Sequence, residues 1–97
     1  MYGLITRLRA KPGQREALSQ LLDGGLSHRP GCLSYIVALE ALSRDGVWVT
    51  EVWMDEPAYR ASLTDLTLKV FTTRAWPLIA GMDDPIITSP IGGLGLV

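Results

Sequence analysis

A single cysteine, a single histidine and a near balance of charge remove several functions from this 97-residue chain before any pattern is read. Cys32 has no partner for an internal disulfide, and no His/Cys spacing matches a metal site. The expected compartment is therefore reducing. Lys and Arg number 9 against 10 Asp and Glu, and the net charge of −1 supplies no field to hold a phosphate backbone. Nucleic acid is not expected as a partner. No apolar run approaches the ~18 residues of a membrane span, and the MYGLIT before Arg7 is too short for the apolar core of a secretory signal. A cytoplasmic protein with no membrane association is expected. Repeats, linkers and low-complexity segments are missing too, apart from a glycine-rich tail.

What the chain has in quantity is apolar surface. Hydrophobic residues make up 47% and mean hydropathy is +0.21, high for a domain of this size, which buries only roughly 65% of its unfolded surface. One domain over residues 1–97 is expected, with the excess apolar surface placed at an oligomer interface. The stretch Gly46 to Met54, GVWVTEVWM, concentrates the pattern. Alternation puts Val47, Val49, Glu51 and Trp53 on one face of a strand and Trp48, Thr50, Val52 and Met54 on the other. Neither set suits water, so one face is expected under helices and the other against a partner subunit.

The remaining elements follow from period and punctuation. Residues 2 to 10 alternate as strand one, with Leu4, Thr6, Leu8 and Ala10 opposite Ile5, Arg7 and Arg9. After Lys11-Pro12-Gly13, a helix carries the stripe Ala17, Leu18, Leu21, Leu22 and Gly25 or Leu26, and Gly24-Gly25 softens its end. Cys32 to Ala41 reads as strand two, joined to the GVWVTEVWM strand by an Asp45-Gly46 hairpin turn. Asp55-Glu56-Pro57 opens a second helical region with an N-cap and an early proline. Tyr59, Leu63, Leu66 and Val70 would form one continuous helix face there, unless Thr64-Asp65 recaps the chain and splits it in two, which is the preferred reading. Pro77 and Gly81 end this region, and Ile86-Ile87-Thr88 is the fourth strand. The tail IGGLGLV is too apolar for a free end and too glycine-rich for a helix, so it is expected to cross onto a partner. The order strand, helix, strand, strand, helix, strand is the ferredoxin-like βαββαβ arrangement: an α+β fold with a four-stranded antiparallel sheet, helices on one face and the other face free for dimerisation.

With its order and spacing of YGLITRLRAKPGQREAL, PGCLSY, TEVWMDEPAYRASL and RAWPLIAG, the chain resembles the antibiotic biosynthesis monooxygenase family of dimeric α+β barrels, which includes quinol and anthrone monooxygenases. The resemblance covers nearly the whole chain. It implies a homodimer through the sheet face and a reaction between oxygen and a small hydroxylated aromatic or quinol, with no metal, flavin or haem cofactor. Such chemistry needs a water-poor cavity and a few donors aimed at a developing oxyanion. In anthrone-type members a Trp ending the third strand and a Tyr in the next helix contact substrate, and Trp53 and Tyr59 match those positions. The Asn that stands four residues before that Trp is Val49 here, and the Arg of the later helix has no counterpart, with Thr72 nearby and Arg74 two residues on. The haem-degrading relatives use Asn, Trp and His where this chain has Thr6, Ser62 and Thr72, none of which replaces an axial His, so haem is not expected.

The candidate catalytic residues are Trp53, Tyr59 and His28, with Leu4, Thr6, Leu63, Val70, Phe71 and Trp76 lining a substrate pocket between sheet and helices. Each has a plainer alternative. Trp53 can be core packing, Tyr59 a docking aromatic, and His28, beside Arg29 before Pro30-Gly31, a solvated helix end. Glu51 is either a general base or, the favoured reading, a partner of Arg7 or Arg9 across the sheet. Cys32 as a nucleophile would depend on His28, and GGLGL is a tail because no helix can follow it. A non-catalytic ligand-binding dimer and an isomerase-type enzyme on the same fold are the functional alternatives.

Overall fold

The computed structural model describes residues 1–25 and 29–96. Its elements are β1 (Tyr2–Ala10), α1 (Arg15–Gly25), β2 (Cys32–Leu39), β3 (Gly46–Trp53), α2 (Glu56–Ser62), α3 (Leu66–Ala75), a 3-10 turn (Trp76–Leu78), β4 (Ile79–Met82) and β5 (Ile86–Thr88). They form the ferredoxin-like α+β fold, with one correction: the antiparallel sheet has five strands rather than four. Its order is β2-β3-β1-β4, with β5 also on β1. The segment after Pro77 does not simply end the helical region but returns to the sheet. β4 pairs with Leu8, Arg9 and Ala10, and β5 with Gly3, Leu4 and Ile5. Asp83-Asp84-Pro85 divides what would be one long strand, because Pro85 has no N–H to give the ladder. Gly81, opposite Arg9, leaves room for the arginine side chain, which a Cβ there would strike.

β1 and β3 pair from Tyr2↔Trp53 to Arg9↔Gly46. This register puts Leu4, Thr6, Leu8 and Ala10 beside Val47, Val49 and Trp53 on the helix-covered face, all of them buried. Leu18 and Leu22 of α1 and Ala75 of α3 complete the core, with Leu21, Tyr35, Val37 and Phe71 packed around it. Ala17, expected on the same stripe, faces outward, and Leu26 lies outside the described residues.

The second helical region splits where Asp65 recaps it. Asp55 accepts from the Ala58 N–H at 2.8 Å and Asp65 from the Thr67 N–H at 2.8 Å, each satisfying an otherwise free first-turn donor. The new cap resets the helical phase, so the continuous Tyr59, Leu63, Leu66, Val70 face does not form. Leu63, Leu66 and Val70 are exposed, and α3 instead turns Phe71 and Ala75 inward.

On the uncovered sheet face, Ile36, Thr50, Ile5 and Ile86 stand in one cross-strand row. Beside it, Arg7 donates to both carboxylate oxygens of Glu40, Nε to Oε1 at 3.1 Å and Nη2 to Oε2 at 2.9 Å, and Trp48 Nε1 donates to Oε1 at 3.1 Å. These hydrogen bonds, Arg7 first, hold the Glu40 carboxyl at about 2, well below the usual ~4.3.

Two expectations follow. A carboxyl whose pKa is depressed on folding contributes stability that is present above its unfolded pKa and lost as pH falls through the folded one. Melting temperature should therefore fall from about pH 4.5 towards pH 2 more steeply in the wild type than in Glu40→Gln; parallel curves would show that the pairing contributes nothing. Leu18→Ala, at a fully buried core position, should cost ~2–5 kcal/mol in urea unfolding, and a loss below ~1 kcal/mol would contradict the packing described.

Candidate active site

Trp53 is fully buried at the end of β3, where the chain leaves the sheet for the Asp55 cap of α2. That cap fixes the direction of α2 and brings Tyr59 edge-on to Trp53, with ring centroids 5.7 Å apart and planes at 66°. Tyr2 tilts against Tyr59, with ring centroids 5.5 Å apart. The Arg29 guanidinium sits 4.7 Å from the Trp53 ring centroid, a cation over the electron-rich face of an aromatic.

Glu51, two residues before Trp53 and on the same face, joins these groups. Its Oε1 accepts from Arg29 Nη2 at 3.0 Å and from Trp53 Nε1 at 3.2 Å. Arg29 Nη1 also donates to Ser62 Oγ at 3.2 Å, and Ser62 Oγ to the Tyr59 carbonyl at 2.6 Å. The ion pair is largely withdrawn from water, its side chains 9% and 13% exposed. The expected pairing of Glu51 with Arg7 or Arg9 is corrected here. Arg7 and Arg9 alternate onto the opposite face, where Glu40 and Asp83 take them, and Glu51 opposes Leu4 and Tyr35.

Beside this cluster lies a cavity of about 190 Å³ between the sheet and the helices. Leu4, Leu8, Leu22, Val49, Met82 and Pro85 form its apolar wall. Thr6, Tyr35, Glu51 and Tyr59 are its polar groups. The Tyr35 hydroxyl is buried and has no hydrogen-bond partner among the described residues. Burial first, and the Glu51 carboxylate second, push both Tyr35 and Tyr59 above the ordinary phenol value. Both phenols therefore hold their protons at neutral pH and can donate. Among the described residues, no three His, Cys, Asp or Glu side chains are grouped to hold a metal ion.

The expected site residues separate by position. Leu4, Thr6 and Tyr59 line the cavity, while Trp53 stands behind it with its N–H committed to Glu51. Phe71 packs against the core, and Val70 is exposed on α3. Leu63 and Trp76 border a different groove, about 740 Å³ and open, with Leu68, Lys69, Thr72, Thr73 and Pro77. That groove is larger, but Lys69 is its only titratable group, so the smaller cavity is the better chemical candidate. His28 lies outside the described residues. Cys32, half-buried, has its thiol pushed up by desolvation, the reverse of an activated nucleophile.

A family model for antibiotic biosynthesis monooxygenase matches residues 1–72. The chain belongs to the antibiotic biosynthesis monooxygenase family. A candidate antibiotic biosynthesis monooxygenase from Chloroflexus aurantiacus J-10-fl is 44% identical, with a TM-score of 0.93 over 99% of this chain and 98% of that one. A second candidate, from Deinococcus radiodurans, is 23% identical with a TM-score of 0.74 over 96% and 93% of the two chains. SnoaB from Streptomyces nogalater, a cofactor-independent oxygenase solved as an asparagine-to-alanine mutant, shares the fold at 16% identity and a TM-score of 0.75 over 96% and 95%. No curated protein matches the chain. Trp53 and Tyr59, the two positions to which the resemblance directs attention, are in direct ring contact. Val49 is part of the apolar cavity wall.

Arg29 and Glu51 went unpaired in the reading of the sequence because they lie on separate elements and meet only through the fold. Breaking this buried pair by Arg29→Met alone should cost ~3–5 kcal/mol, since Glu51 is left charged and unpartnered. The double change Arg29→Met/Glu51→Leu should cost less than either single change. Additive losses in a urea double-mutant cycle would show that the two side chains do not interact.

Proposed function

We propose that the protein is a cofactor-independent monooxygenase that oxidises a small hydroxylated aromatic or quinol with molecular oxygen. The observation that carries the reading is the small, mostly apolar cavity with a few polar groups at the Trp53–Tyr59 junction. Once a hydroxyl of such a substrate is ionised, its ring is electron-rich enough to reduce oxygen. One oxygen atom enters the product, and the other leaves as water with two electrons and two protons from the substrate. A water-poor pocket with fixed donors favours the developing charge. Tyr59, protonated at neutral pH, supplies one such donor, and Trp53 shapes the pocket from behind. SnoaB, named a cofactor-independent oxygenase, supports this class through its shared fold.

Cavity size narrows the substrate. A cavity of ~150 Å³ holds benzene, so one of about 190 Å³ suits a single substituted ring better than a three-ring anthrone. The protein would act as a cytoplasmic homodimer, joined through the uncovered sheet face. The apolar row Ile36, Thr50, Ile5 and Ile86, and a tail whose Ile91 and Leu94 are fully exposed, favour that assembly. A non-catalytic ligand-binding role has one observation in its favour, the loss of the family Asn at Val49.

Oxygen uptake by metal-free protein over one-ring hydroquinones, two-ring quinols and anthrones, with product masses, separates these readings. Uptake is expected with one-ring substrates, with the product ~14 mass units heavier than the substrate, one oxygen gained and two hydrogens lost to water, and kcat lowered ~10-fold or more in Tyr59→Phe. Absence of uptake across the panel, with ligands still raising thermal stability, would favour the binding role.

A further inference from the structure

We propose that Glu51 is the catalytic base of this cavity, its Oε2 taking the proton of the substrate hydroxyl while Arg29 and Trp53, as positioning residues, hold Oε1. The inference rests on the monooxygenase reading for the oxidation that follows, and it names the atom that ionises the substrate.

Three observations converge. The first is an asymmetry within one carboxylate. Both hydrogen bonds that Glu51 accepts among the described residues land on Oε1, from Arg29 Nη2 and Trp53 Nε1. A carboxylate offers about four acceptor positions, and the two used fix the side chain while Oε2, on a residue of the cavity wall, accepts no hydrogen bond from the described residues. The second is that the clamp is itself anchored. Arg29 is held by Ser62 Oγ and the Trp53 ring, and Ser62 by the Tyr59 carbonyl, so α2 and the base are tied into one unit. The third is elimination. Of the described residues lining the cavity, Glu51 is the one carboxylate, and the phenols of Tyr35 and Tyr59 keep their protons at neutral pH.

In the step assigned to it, the substrate O–H bond breaks, its electron pair stays on the ring oxygen, and a new O–H bond forms on Glu51 Oε2. The carboxylate becomes a neutral acid and the substrate a phenolate, with no change in the net charge of the site beside Arg29. The unpartnered Tyr35 hydroxyl, across the β2–β3 pairing from Glu51, donates to a second oxygen of the ligand. A ring with one hydroxyl to give and one further oxygen to accept satisfies both groups, which describes a one-ring dihydroxy aromatic.

The test compares hydroquinone with 1,4-dimethoxybenzene, which can accept from Tyr35 but has no proton for Glu51. Wild type should bind hydroquinone at least ~10-fold more tightly than the ether. Glu51→Gln should narrow that preference ~5-fold, because a neutral acceptor is weaker. It should also lower kcat for oxygen consumption ~10²-fold or more while KM moves less than ~10-fold. Glu51→Asp keeps the charge for Arg29 and guards against a folding defect; it should retain the preference and turn over faster than Glu51→Gln. An equal preference in wild type and Glu51→Gln, or unchanged kcat in Glu51→Gln with hydroquinone consumed, overturns the role of Glu51 and leaves the monooxygenase reading standing. A Glu51-dependent preference with no oxygen consumed by wild type removes the oxygenase reading and supports Oε2 as the hydroxyl's acceptor. No binding of hydroquinone to wild type overturns both.

Discussion

The register between β1 and β3 is the constraint from which the rest of this molecule follows. Pairing Leu4 with Glu51 and Arg7 with Trp48 assigns every side chain of the two central strands to a face. A slip of one residue would either send Val47, Val49 and Trp53 to the open side or bring Arg7 into the core. Both polar systems depend on this assignment. Arg7, Glu40 and Trp48 form a hydrogen-bonded set on the uncovered face, and Arg29, Glu51 and Trp53 form another under the helices.

The two systems share a design: one carboxylate, one arginine, one indole N–H. Their surroundings separate them. Glu40 is served on both oxygens and lies on a face with no helix over it, so it is a structural pair with a strongly depressed pKa. Glu51 is served on one oxygen, lies deeper, and borders a cavity. Burying an ion pair is rarely an efficient way to gain stability, since desolvation offsets most of the attraction. That a small domain keeps one beside a cavity that combines apolar walls with two phenols fits a site better than a strut.

Trp53 also changes meaning in this setting. The family comparison directs attention to it as a substrate contact, yet it is fully enclosed, with its N–H given to Glu51 and its faces engaged by Tyr59 and Arg29. In the proposed reaction it acts through the carboxylate and through the placement of Tyr59. Val49 is part of the apolar wall, and the polar groups of the cavity are Thr6, Tyr35, Glu51 and Tyr59.

The amino-acid pattern alone determined β1, the Asp45-Gly46 hairpin, the two aspartate caps and the βαββαβ order, because each is written in alternation, turn chemistry or capping within a few residues of chain. It also placed Leu4, Thr6 and Tyr59, which line the cavity. It did not reveal that Ile79–Met82 is a strand, since four residues after a proline carry almost no period. Nor could it direct Leu63, Val70 and Trp76 away from the cavity: α2 already ends at Leu63, and beyond it Asp65 resets the helix phase by an angle that spacing does not encode. The partner of Glu51 was the clearest division. The sequence pattern points Glu51 to Arg7 or Arg9; the β1–β3 register puts those two on the opposite face, and only the tertiary structure could choose Arg29, which lies 22 residues away in the chain. Charge pairs and cavities are made by elements meeting in space, and the physics that selects them, desolvation and packing, acts after the local pattern has done its part.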